Sequence, residues 1–469
     1  MNIKSSAFCH ALPSYKGVDP MSLFNKTLLS SAITALVAST SCSVSANLLE
    51  DSTLDIKLRN AYFSKTDKYN GVEELDAGKT KIRQWAQGVE INAVSGYLGT
   101  DDFGIGADAS YYGVAKLSGD NSNTGGDLLN FNSRGTDMNG YSKLGQGLVK
   151  LKALDMVNLS AGRMLLDNPI IASSGSRVTP SSFEAVQGSV EVAGARFWAV
   201  RANEWSKRNQ SGFNDFVTGD SSVDIDNITA YGVAYEHESG LGFELAQGTS
   251  KDYIQKTMLD VYYSFKLGED RSIDLDAQYY TFEDDGNKWT DDTALTSTSK
   301  ADKLDAKTYS LRAAYATQWW NLALTYTKNK DDKAYYYMSG GDHGMTYLYT
   351  SMIVSDFLAK EEDVYQVAFD YDFEALGVPG LNASYSYTYG KDGEYVSRGD
   401  ADNGKTYNEW ESDYSVSYTV QDGPLKDLSF KYTYANYSNN APAAHTGDTF
   451  DVGEVTDNRF FIDYTISVF

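Results

Sequence analysis

Apolar and polar residues alternate along most of this chain, in runs of about ten positions that end at turns. In one such run Ile273, Leu275 and Ala277 are separated by Asp274 and Asp276. A period of two is typical of a β-strand with one apolar and one polar face. The pattern continues to the end of the chain, so we predict an all-β protein.

The connections between these runs come in two sizes, and the two sizes alternate. Short ones include Glu238-Ser239-Gly240 and Gly268-Glu269-Asp270. Long ones are polar and rich in Gly, Asp and Asn, and they lie at roughly 117–140, 207–226, 284–303, 329–362, 391–408 and 438–456. Short turns at one rim and long loops at the other are typical of outer-membrane barrels. We therefore predict a single transmembrane antiparallel β-barrel of about 18 strands (16–18), with short periplasmic turns and long extracellular loops.

A soluble β-sandwich would show the same alternation, so two further features are needed to place the barrel in a membrane. A soluble barrel of this many strands would enclose a large void, because barrel diameter grows with strand number. Aromatic residues also cluster near strand ends, where interfacial girdles are expected. The residues of this kind are Tyr62, Tyr97, Tyr111, Tyr112, Trp319, Trp320, Trp410 and Tyr437.

The last alternating run ends on Phe469. A terminal aromatic residue after alternating apolar residues is typical of the signal that the outer-membrane insertion machinery reads, so we expect that machinery as a partner. Phe460, Ile462, Tyr464 and Ile466 share one face, which puts Phe469 on the other phase. We expect a bulge or an unpaired last residue to correct the phase.

Composition narrows the functional classes. The chain has 35 Tyr, 20 Phe and 40 Gly beside 7 Pro, which favours β structure. Its formal charge of −24 argues against binding to nucleic acid, for which a basic surface is expected. Both cysteines, Cys9 and Cys42, lie near the N-terminus, so a processed chain would avoid cysteine, as suits passage through an oxidising compartment.

The N-terminal region predicts an export signal. Residues 21–46 hold one positive charge, an apolar run and a small-residue exit at Ala46, which is the layout of a signal peptide. Residues 1–20 are then an upstream segment from an over-extended start, and residues 47–469 form the barrel. Two alternatives stay open, namely a lipoprotein signal that ends at Cys42 and a retained helical anchor.

No catalytic or metal-binding pattern emerges. The four histidines are His10, His237, His343 and His445, and none has a serine at the spacing of a barrel lipase dyad. Glycine-rich stretches do not connect a strand to a helix, so they are not phosphate loops. We expect no enzyme activity, no cofactor and no metal.

Several stretches together resemble the OprD family of outer-membrane porins, including its chitoporin branch. They are Leu48–Leu54, Trp85–Gly88 with Ser95–Tyr97, Gly162–Leu165 with Arg177–Glu184, Leu376–Leu381 and Val420–Phe430. The resemblance covers residues 48–469. It implies an 18-stranded barrel with an inward-folded constriction loop around 165–187, and it makes Arg177 and Glu184 candidates for lining or anchoring that constriction.

Members of this family that select basic amino acids and carboxylates carry a ladder of arginines on late strands. Here the expected lumen positions on those strands hold hydroxyls, with Lys431 as their one cation and Arg312 and Lys266 on earlier strands. The candidate pore-lining residues are Arg177, Glu184, Arg312, Ser384, Ser386, Thr388, Ser417, Lys431 and Thr433. Hydroxyl and aromatic linings suit saccharides, and Tyr335–Tyr337 with Tyr347–Tyr349 form a candidate saccharide surface at the mouth, unless they pack the loop on itself.

The functional prediction is a porin in the outer membrane of a Gram-negative bacterium. It would give passive, partly selective diffusion of small hydrophilic nutrients, with oligosaccharides such as chitooligosaccharides ahead of amino acids, peptides or carboxylates. An adhesion barrel that binds through its long loops is the alternative from another class. The expected partners are outer-membrane lipids and lipopolysaccharide, the insertion machinery and small solutes, in a monomer or a trimer.

Overall fold

The computed structural model describes residues 47–69, 79–119, 127–131, 137–219, 223–291, 303–331, 337–340, 348–394, 404–441 and 452–469. The predicted upstream segment and signal peptide lie outside these ranges.

Eighteen strands form the wall of the barrel. They are β1 (Thr53–Tyr69), β2 (Lys79–Val94), β3 (Phe103–Gly119), β4 (Tyr141–Ala153), β5 (Val157–Met164), β6 (Ser182–Val192), β7 (Ala195–Ser206), β8 (Ile228–Glu236), β9 (Leu241–Ser250), β10 (Ile254–Lys266), β11 (Arg271–Asp284), β12 (Asp305–Thr317), β13 (Trp320–Asp331), β14 (Asp363–Asp372), β15 (Leu381–Glu394), β16 (Thr406–Thr419), β17 (Ser429–Asn439) and β18 (Val452–Ser467).

Each strand pairs antiparallel with the next, and β18 returns to pair with β1, so the barrel is closed. Because the barrel is closed, each wall strand has hydrogen-bonding neighbours on both edges. A lipid environment requires this, since it offers no water to unpaired backbone N–H and C=O groups. The predicted fold class is confirmed.

The two faces of the wall differ as the alternation predicts. Outward side chains are apolar and exposed on the isolated chain, with Leu311 at 55% and Leu324 at 58% exposure. Inward positions on the same strands are polar, as Arg312 and Thr325 show. An apolar outer surface around the whole wall matches a barrel surrounded by lipid.

The remaining elements are short. They are strands at Leu98–Gly99, Asn130–Phe131, Met138–Asn139, Asn214–Val217 and Asp224–Ile225, α-helices at Asn47–Glu50 and Asn287–Asp291, and a 3-10 helix at Phe373–Leu376. Within the described ranges, none of the helices has the length and apolar character to cross a membrane.

The C-terminus closes on the first strand through a bulge. The Val468 N–H donates to the Leu54 carbonyl at 2.8 Å, and the Leu54 N–H donates to the Phe469 carbonyl at 3.2 Å. Two residues of the last strand thus face one residue of β1, which is the arrangement that the phase of Phe469 predicted.

Three of the predicted girdle tyrosines face the lumen, and one of them, Tyr97, lies 5.1 and 5.0 Å from the amines of Lys150 and Lys152 on the lumen side of β4. Tyr112 is opposite Lys143 and Tyr437 is opposite Glu411, on the polar face of the wall. The prediction placed both Tyr111 and Tyr112 in the girdle, but consecutive strand residues point to opposite faces, so only one of them can meet lipid. Tyr111 is the outward one, with 50% exposure.

Inward-folded connections fill part of the barrel interior. One apolar cluster packs four long connections against β5–β12, and its members include Met164, Leu166, Ile170, Trp205, Phe216, Phe282, Trp289, Met338 and Leu348. A second cluster lies against β1–β4 and includes Phe63, Val114, Leu128, Leu129, Met138 and Val178. Because these two clusters occupy part of the interior, the open lumen is the space that lies between them.

A constriction formed by two inward loops

The loop of residues 165–181, called the constriction loop here, crosses the lumen. At one end, a Cβ atom added to Gly248 of β9 would lie 2.3 Å from Ile170 Cγ2. At the other end, one added to Gly88 of β2 would lie 2.4 Å from Val178 Cγ1. Glycine at these two wall positions therefore permits the loop to pack directly on the backbone of two separate strands.

Arg59 of β1 fastens the constriction loop to the wall. Its guanidinium makes a bidentate pair with Asp463 of β18, with N–O distances of 2.7 and 3.0 Å. The same group donates to the carbonyls of Gly175 and Arg177 in the loop, at 3.0 and 2.9 Å. Bidentate arginine pairs fix geometry as well as charge, so Arg59 sets the position of the loop.

Arg177 provides a second fastening within the loop. It donates to Asp127 at 2.9 Å, and its guanidinium lies over the ring of Phe63 at 5.5 Å. Burial lowers the pKa of Arg177 while Asp127 opposes that shift, and an arginine so paired stays charged. Arg177 is predicted to line or anchor the constriction, and its contact with Asp127 lies at one end of the constriction loop.

The connection after β7 supports the other side of the loop. Arg208 is 7% exposed and donates to Ser174 Oγ at 3.1 Å. Its carbonyl accepts a hydrogen bond from Thr179 Oγ1 at 3.1 Å, and Thr179 also contacts the hydroxyl of Tyr141 at 2.9 Å. These contacts are buried, and they tie the constriction loop to the connection after β7 and to Tyr141 of β4.

A second loop, residues 348–362 between β13 and β14, also folds into the lumen and is called the second inward loop here. Carboxylates of β16 accept its backbone N–H groups. Glu411 accepts from Val354 and Ser355 at 2.8 Å each, and Asp413 accepts from Ile353 at 3.2 Å. We predicted this stretch to be part of a long extracellular loop, and the length is right but its last part lies inside the barrel.

Tyr349 attaches the start of the second inward loop to the opposite side of the lumen. Its hydroxyl donates to Asp276 of β11 at 2.5 Å, and its ring lies under the Arg312 guanidinium at 4.9 Å. Of the tyrosines proposed as a saccharide surface at the mouth, Tyr337 and Tyr349 are described, and both make such inward contacts. The other three, Tyr335, Tyr336 and Tyr347, lie outside the described residues.

Glu362 closes the second inward loop. Its side chain is buried and accepts the Ala359 N–H at 3.0 Å. Burial, followed by repulsion from Glu409, raises the pKa of Glu362 well above its ordinary value. The acid therefore binds its proton more tightly than an exposed glutamate does.

The predicted lining residues of β12 and β15–β17 share one face of the wall. The strand register places Arg312, Ser384, Ser386, Thr388, Ser417, Lys431 and Thr433 all on the lumen side. They are not equally accessible. Thr388 is fully buried and accepts a hydrogen bond from Gln366 at 2.9 Å, whereas Ser384, Ser386 and Ser417 are only half-buried.

Glu184 is a correction, because it faces away from the lumen. β6 begins at Ser182, so the predicted loop boundary at 187 was too late, and Glu184 lies in the strand. Its neighbours Phe183 and Ala185 point inward, and alternation turns Glu184 outward. There it forms an ion pair with Arg163 at 3.6 Å.

The basic residues near the constriction were only partly anticipated. Lys431 is the one lysine or arginine among the described lumen positions of β15–β17, as predicted. However, the register adds Lys57 and Arg59 of β1 and Arg459 of β18 to the same face. Counting cations on the polar phase of every strand, including the first and last, would have found them, because closure makes β1 and β18 neighbours.

These arginines surround a pair of inward aromatic rings. Phe63 and Phe461 meet edge to face with 5.4 Å between centroids. Arg59 lies 5.2 Å from the ring of Phe461, and Arg459 lies 4.9 Å from that of Phe63. Cation–π contacts of this kind hold planar guanidinium groups in place without using up their N–H donors.

The opposite wall is acidic. The lumen side of β9–β11 carries five carboxylates, those of Glu244, Asp260, Asp274, Asp276 and Asp284, and two amines, those of Lys256 and Lys266. In a closed wall of eighteen strands, β10 is nine strands from β1 in either direction. The arginines and these carboxylates therefore stand on opposite sides of the lumen.

Among the described residues, His237 is the one histidine, and it lies in an exposed turn. His237 Nδ1 contacts Ser239 Oγ at 2.9 Å, but the Ser239 N–H also donates to that nitrogen, which marks an exposed turn. Across the part of the chain that the structure describes, no three His, Cys, Asp or Glu side chains gather as metal ligands. A closed membrane barrel narrowed by two inward loops is a diffusion channel.

Comparison with known proteins identifies the family. The model of the OprD family of outer-membrane porins matches residues 46–468. Porin D of Pseudomonas aeruginosa is 29% identical over 444 residues, which cover 90% of this chain and 92% of Porin D. The crystal structure of Pseudomonas aeruginosa OpdG superposes with a TM-score of 0.76 at 25% identity, over 90% of this chain and 100% of OpdG.

The chain belongs to the OprD family of outer-membrane porins. It is a channel for small solutes in the outer membrane and not an enzyme. The predicted closeness to the chitoporin branch has only partial support. The chitoporin of Escherichia coli is 25% identical over 264 residues, which cover 51% of this chain and 52% of the chitoporin.

Proposed function

We propose that this porin passes small dipolar solutes that carry both a carboxylate and an amino group, such as amino acids. The observation that carries the proposal is the placement of arginines on one side of the constriction and carboxylates on the other. A solute of this kind can meet both walls at once, with each end facing the opposite charge.

The arginine side offers donors without a large positive charge. Arg59 is paired with Asp463, and Arg459 with Asp457 at 2.8 Å. A guanidinium has five N–H donors. Arg59 uses four of them on Asp463 and the constriction loop, whereas Arg459 uses its Nε and Nη2 on Asp457, so Arg459 is the arginine that a solute carboxylate can share. Because each arginine is paired with an aspartate, this wall has little net positive charge and attracts simple anions only weakly. The wall therefore favours solutes whose net charge is zero.

The carboxylate side completes the recognition. The described lumen positions of β9–β11 hold five carboxylates and two lysines, and Arg312 on the neighbouring β12 is partly occupied by Tyr349. A surplus of acid attracts the ammonium end of a zwitterion and repels a second carboxylate. We therefore expect amino acids to pass faster than dicarboxylates of the same size.

Liposome swelling with solutes of matched size tests this expectation. Wild-type protein should admit a zwitterionic amino acid faster than a neutral sugar alcohol, and a dicarboxylate slowest. Replacing Asp260 and Asp276 by Asn should remove the preference for the zwitterion over the dicarboxylate. Lys266→Gln, a change of lumen charge near the periplasmic rim, is the matched control. Equal rates for all three solutes in the wild type would refute the proposal.

Oligosaccharides are the second candidate, and the hydroxyl face of β15–β17 favours them. Ser384, Ser386 and Ser417 present accessible hydroxyl groups beside one another in the ladder. Single-channel recording distinguishes the two candidates. If chitooligosaccharides block the channel current at lower concentrations than amino acids do, the saccharide hypothesis is favoured. The reverse order favours the zwitterion hypothesis.

The remaining expectations stay predictions. They are cleavage after Ala46, recognition of the strand ending at Phe469 by the insertion machinery, contact with lipopolysaccharide, and a monomeric or trimeric state.

A further inference from the structure

The outer wall of the barrel carries an apolar groove of about 1070 Å³ along β10–β15. It lies between two rows of outward side chains that cross these neighbouring strands. Leu311 and Tyr326 pair in the upper row, and Ala313 and Leu324 pair in the lower row. Arg312, between Leu311 and Ala313, points into the lumen, so the groove is on the lipid side of the wall.

Small side chains form the floor of the groove. Ala277 of the upper row pairs with Leu311, and Ala313 of the lower row pairs with Leu275, so small residues interrupt both rows. Leu311 and Leu324 stand 55% and 58% exposed beside them. A concave apolar surface of this kind in the hydrocarbon region accepts a flexible acyl chain better than a flat wall does.

Polar groups suited to a lipid headgroup lie directly above the groove. The next outward row toward the extracellular rim contains the stacked pair Tyr279 and Tyr309, with centroids 5.0 Å apart, and then Lys328 opposite Asp363. Asp363 in turn is opposite Lys391. Rows two residues apart along a strand are separated by about 7 Å, so these groups stand at the mouth of the groove.

Four lysines gather at this height on the strands β12, β13 and β15. Lys307 is opposite Lys330, one row above Lys328, and Lys391 completes the set. Three of them have carboxylate partners, whereas Lys330 has no ion-pair partner among the described residues. Such surface pairs contribute little, so a phosphate group can displace the carboxylates at small cost.

We propose that the groove and the four lysines form a binding site for the phosphorylated glycolipid of the outer leaflet, lipopolysaccharide. Its acyl chains would lie in the groove, and its phosphates would meet the lysine amines. Tyrosine rings at the boundary between groove and lysines mark the membrane interface, where a sugar–phosphate headgroup begins. The site is on the outer wall, so it is independent of the solute that the lumen selects.

Native mass spectrometry of the full protein in detergent, with diphosphorylated lipid A as the probe, tests the site. Replacing Lys328 and Lys330 by Gln should weaken retention of lipid A by about tenfold or more. The matched control replaces Lys68 and Lys81 by Gln, which are outward lysines at the same rim on β1 and β2. This control should bind as the wild type does.

A second variant tests the groove separately from the charges. Ala313→Trp fills the groove and should weaken retention of both lipid A and its dephosphorylated form, while Ala109→Trp on the outer face of β3 should not. Ala277→Phe fills the same groove if Ala313→Trp does not fold. Wild-type single-channel conductance and resistance to unfolding in cold detergent would show that each variant is intact.

Two results would overturn the proposal. Equal retention of lipid A by the wild type and by all variants would mean a general lipid shell without a site. Displacement of lipid A by inorganic phosphate, with no effect of filling the groove, would mean an anion site for free phosphate and no lipid site.

Discussion

Arg59 joins three parts of the molecule through one side chain. It pairs with Asp463 of β18, and it donates to two carbonyls of the constriction loop. Asp463 and Arg59 are neighbours only because the wall closes, so the position of the constriction depends on closure. An arginine serves here where a lysine would not, because its planar donors reach the carboxylate and the loop at the same time.

At the same scale, Glu362 makes the second inward loop sensitive to pH. Burial raises its pKa above the ordinary 4.5, and nearby Glu409 adds to that shift while the Ala359 N–H opposes it. A carboxyl whose pKa is raised on folding stabilises its surroundings at low pH, and that contribution is lost as pH rises through the raised pKa. The loop should therefore loosen from above pH 4.5 upward.

Single-channel recording across that range checks this prediction. Wild-type conductance noise should increase toward alkaline pH, and Glu362→Gln should remove most of the increase because glutamine stays neutral. Glu238→Gln, at an exposed periplasmic turn, is the control and should keep the wild-type dependence. A pH dependence in Glu362→Gln as large as that of the wild type would contradict the prediction.

At the scale of elements, the constriction loop is held by shape as much as by hydrogen bonds. Gly88 and Gly248 leave room for Val178 and Ile170, and each contact is tight enough that an added methyl group would overlap it. The loop thus packs on the wall as a core side chain packs in a soluble protein.

Gly88→Ala should displace the loop from β2, and the pore should become wider and less selective. The expected result is higher single-channel conductance and smaller differences between solutes in liposome swelling. Gly113→Ala is the control, because the nearest atom to its new Cβ, in Tyr111, is 3.7 Å away. Val178→Ala in the Gly88→Ala background should restore the original conductance, since it removes the overlapping methyl group. Unchanged conductance in Gly88→Ala would rule out the packing described for this loop.

At the scale of the whole molecule, the closed wall and the position of the constriction depend on the pairing of the first and last strands. Ser467 Oγ donates to Asp55 at 2.7 Å across 412 residues of sequence. That ladder removes both edges of the sheet, brings Arg59 to Asp463, and sets the arginine side of the lumen opposite β10.

Cysteines at Asp55 and Ser467 should form a disulfide that locks this closure. Opposed residues of adjacent strands are within reach of a disulfide, and the native cysteines Cys9 and Cys42 both lie in the segment predicted to be removed. The oxidised double variant should migrate faster than the reduced form on denaturing gels after heating. Cysteines at Asp55 and Ser429 are the control and should not cross-link. Absence of the cross-link in the first pair would mean that β1 and β18 are not paired in this register.

Most of the architecture was predictable from the sequence. Alternation with a period of two, short and long connections in turn, and the phase of Phe469 predicted the strand number, the rims and the terminal bulge. These features are local, because the direction of each side chain in a strand follows from its neighbours along the chain. The same reasoning assigned Ser384, Ser386 and Lys431 to the polar phase of their strands, and the strand register gives that phase to the lumen side.

The constriction was decided by tertiary structure. No local pattern shows that residues 348–362 turn inward, since their backbone groups are satisfied by Glu411 and Asp413, which are far away in sequence. Local patterns also do not show that Glu184 belongs to a strand, or that closure brings the strands of Arg59 and Arg459 together. The sequence by itself thus determined a closed membrane barrel with a hydroxyl-rich late wall. Tertiary structure alone decided which charges face each other across the lumen, because that depends on contacts between strands distant in the chain.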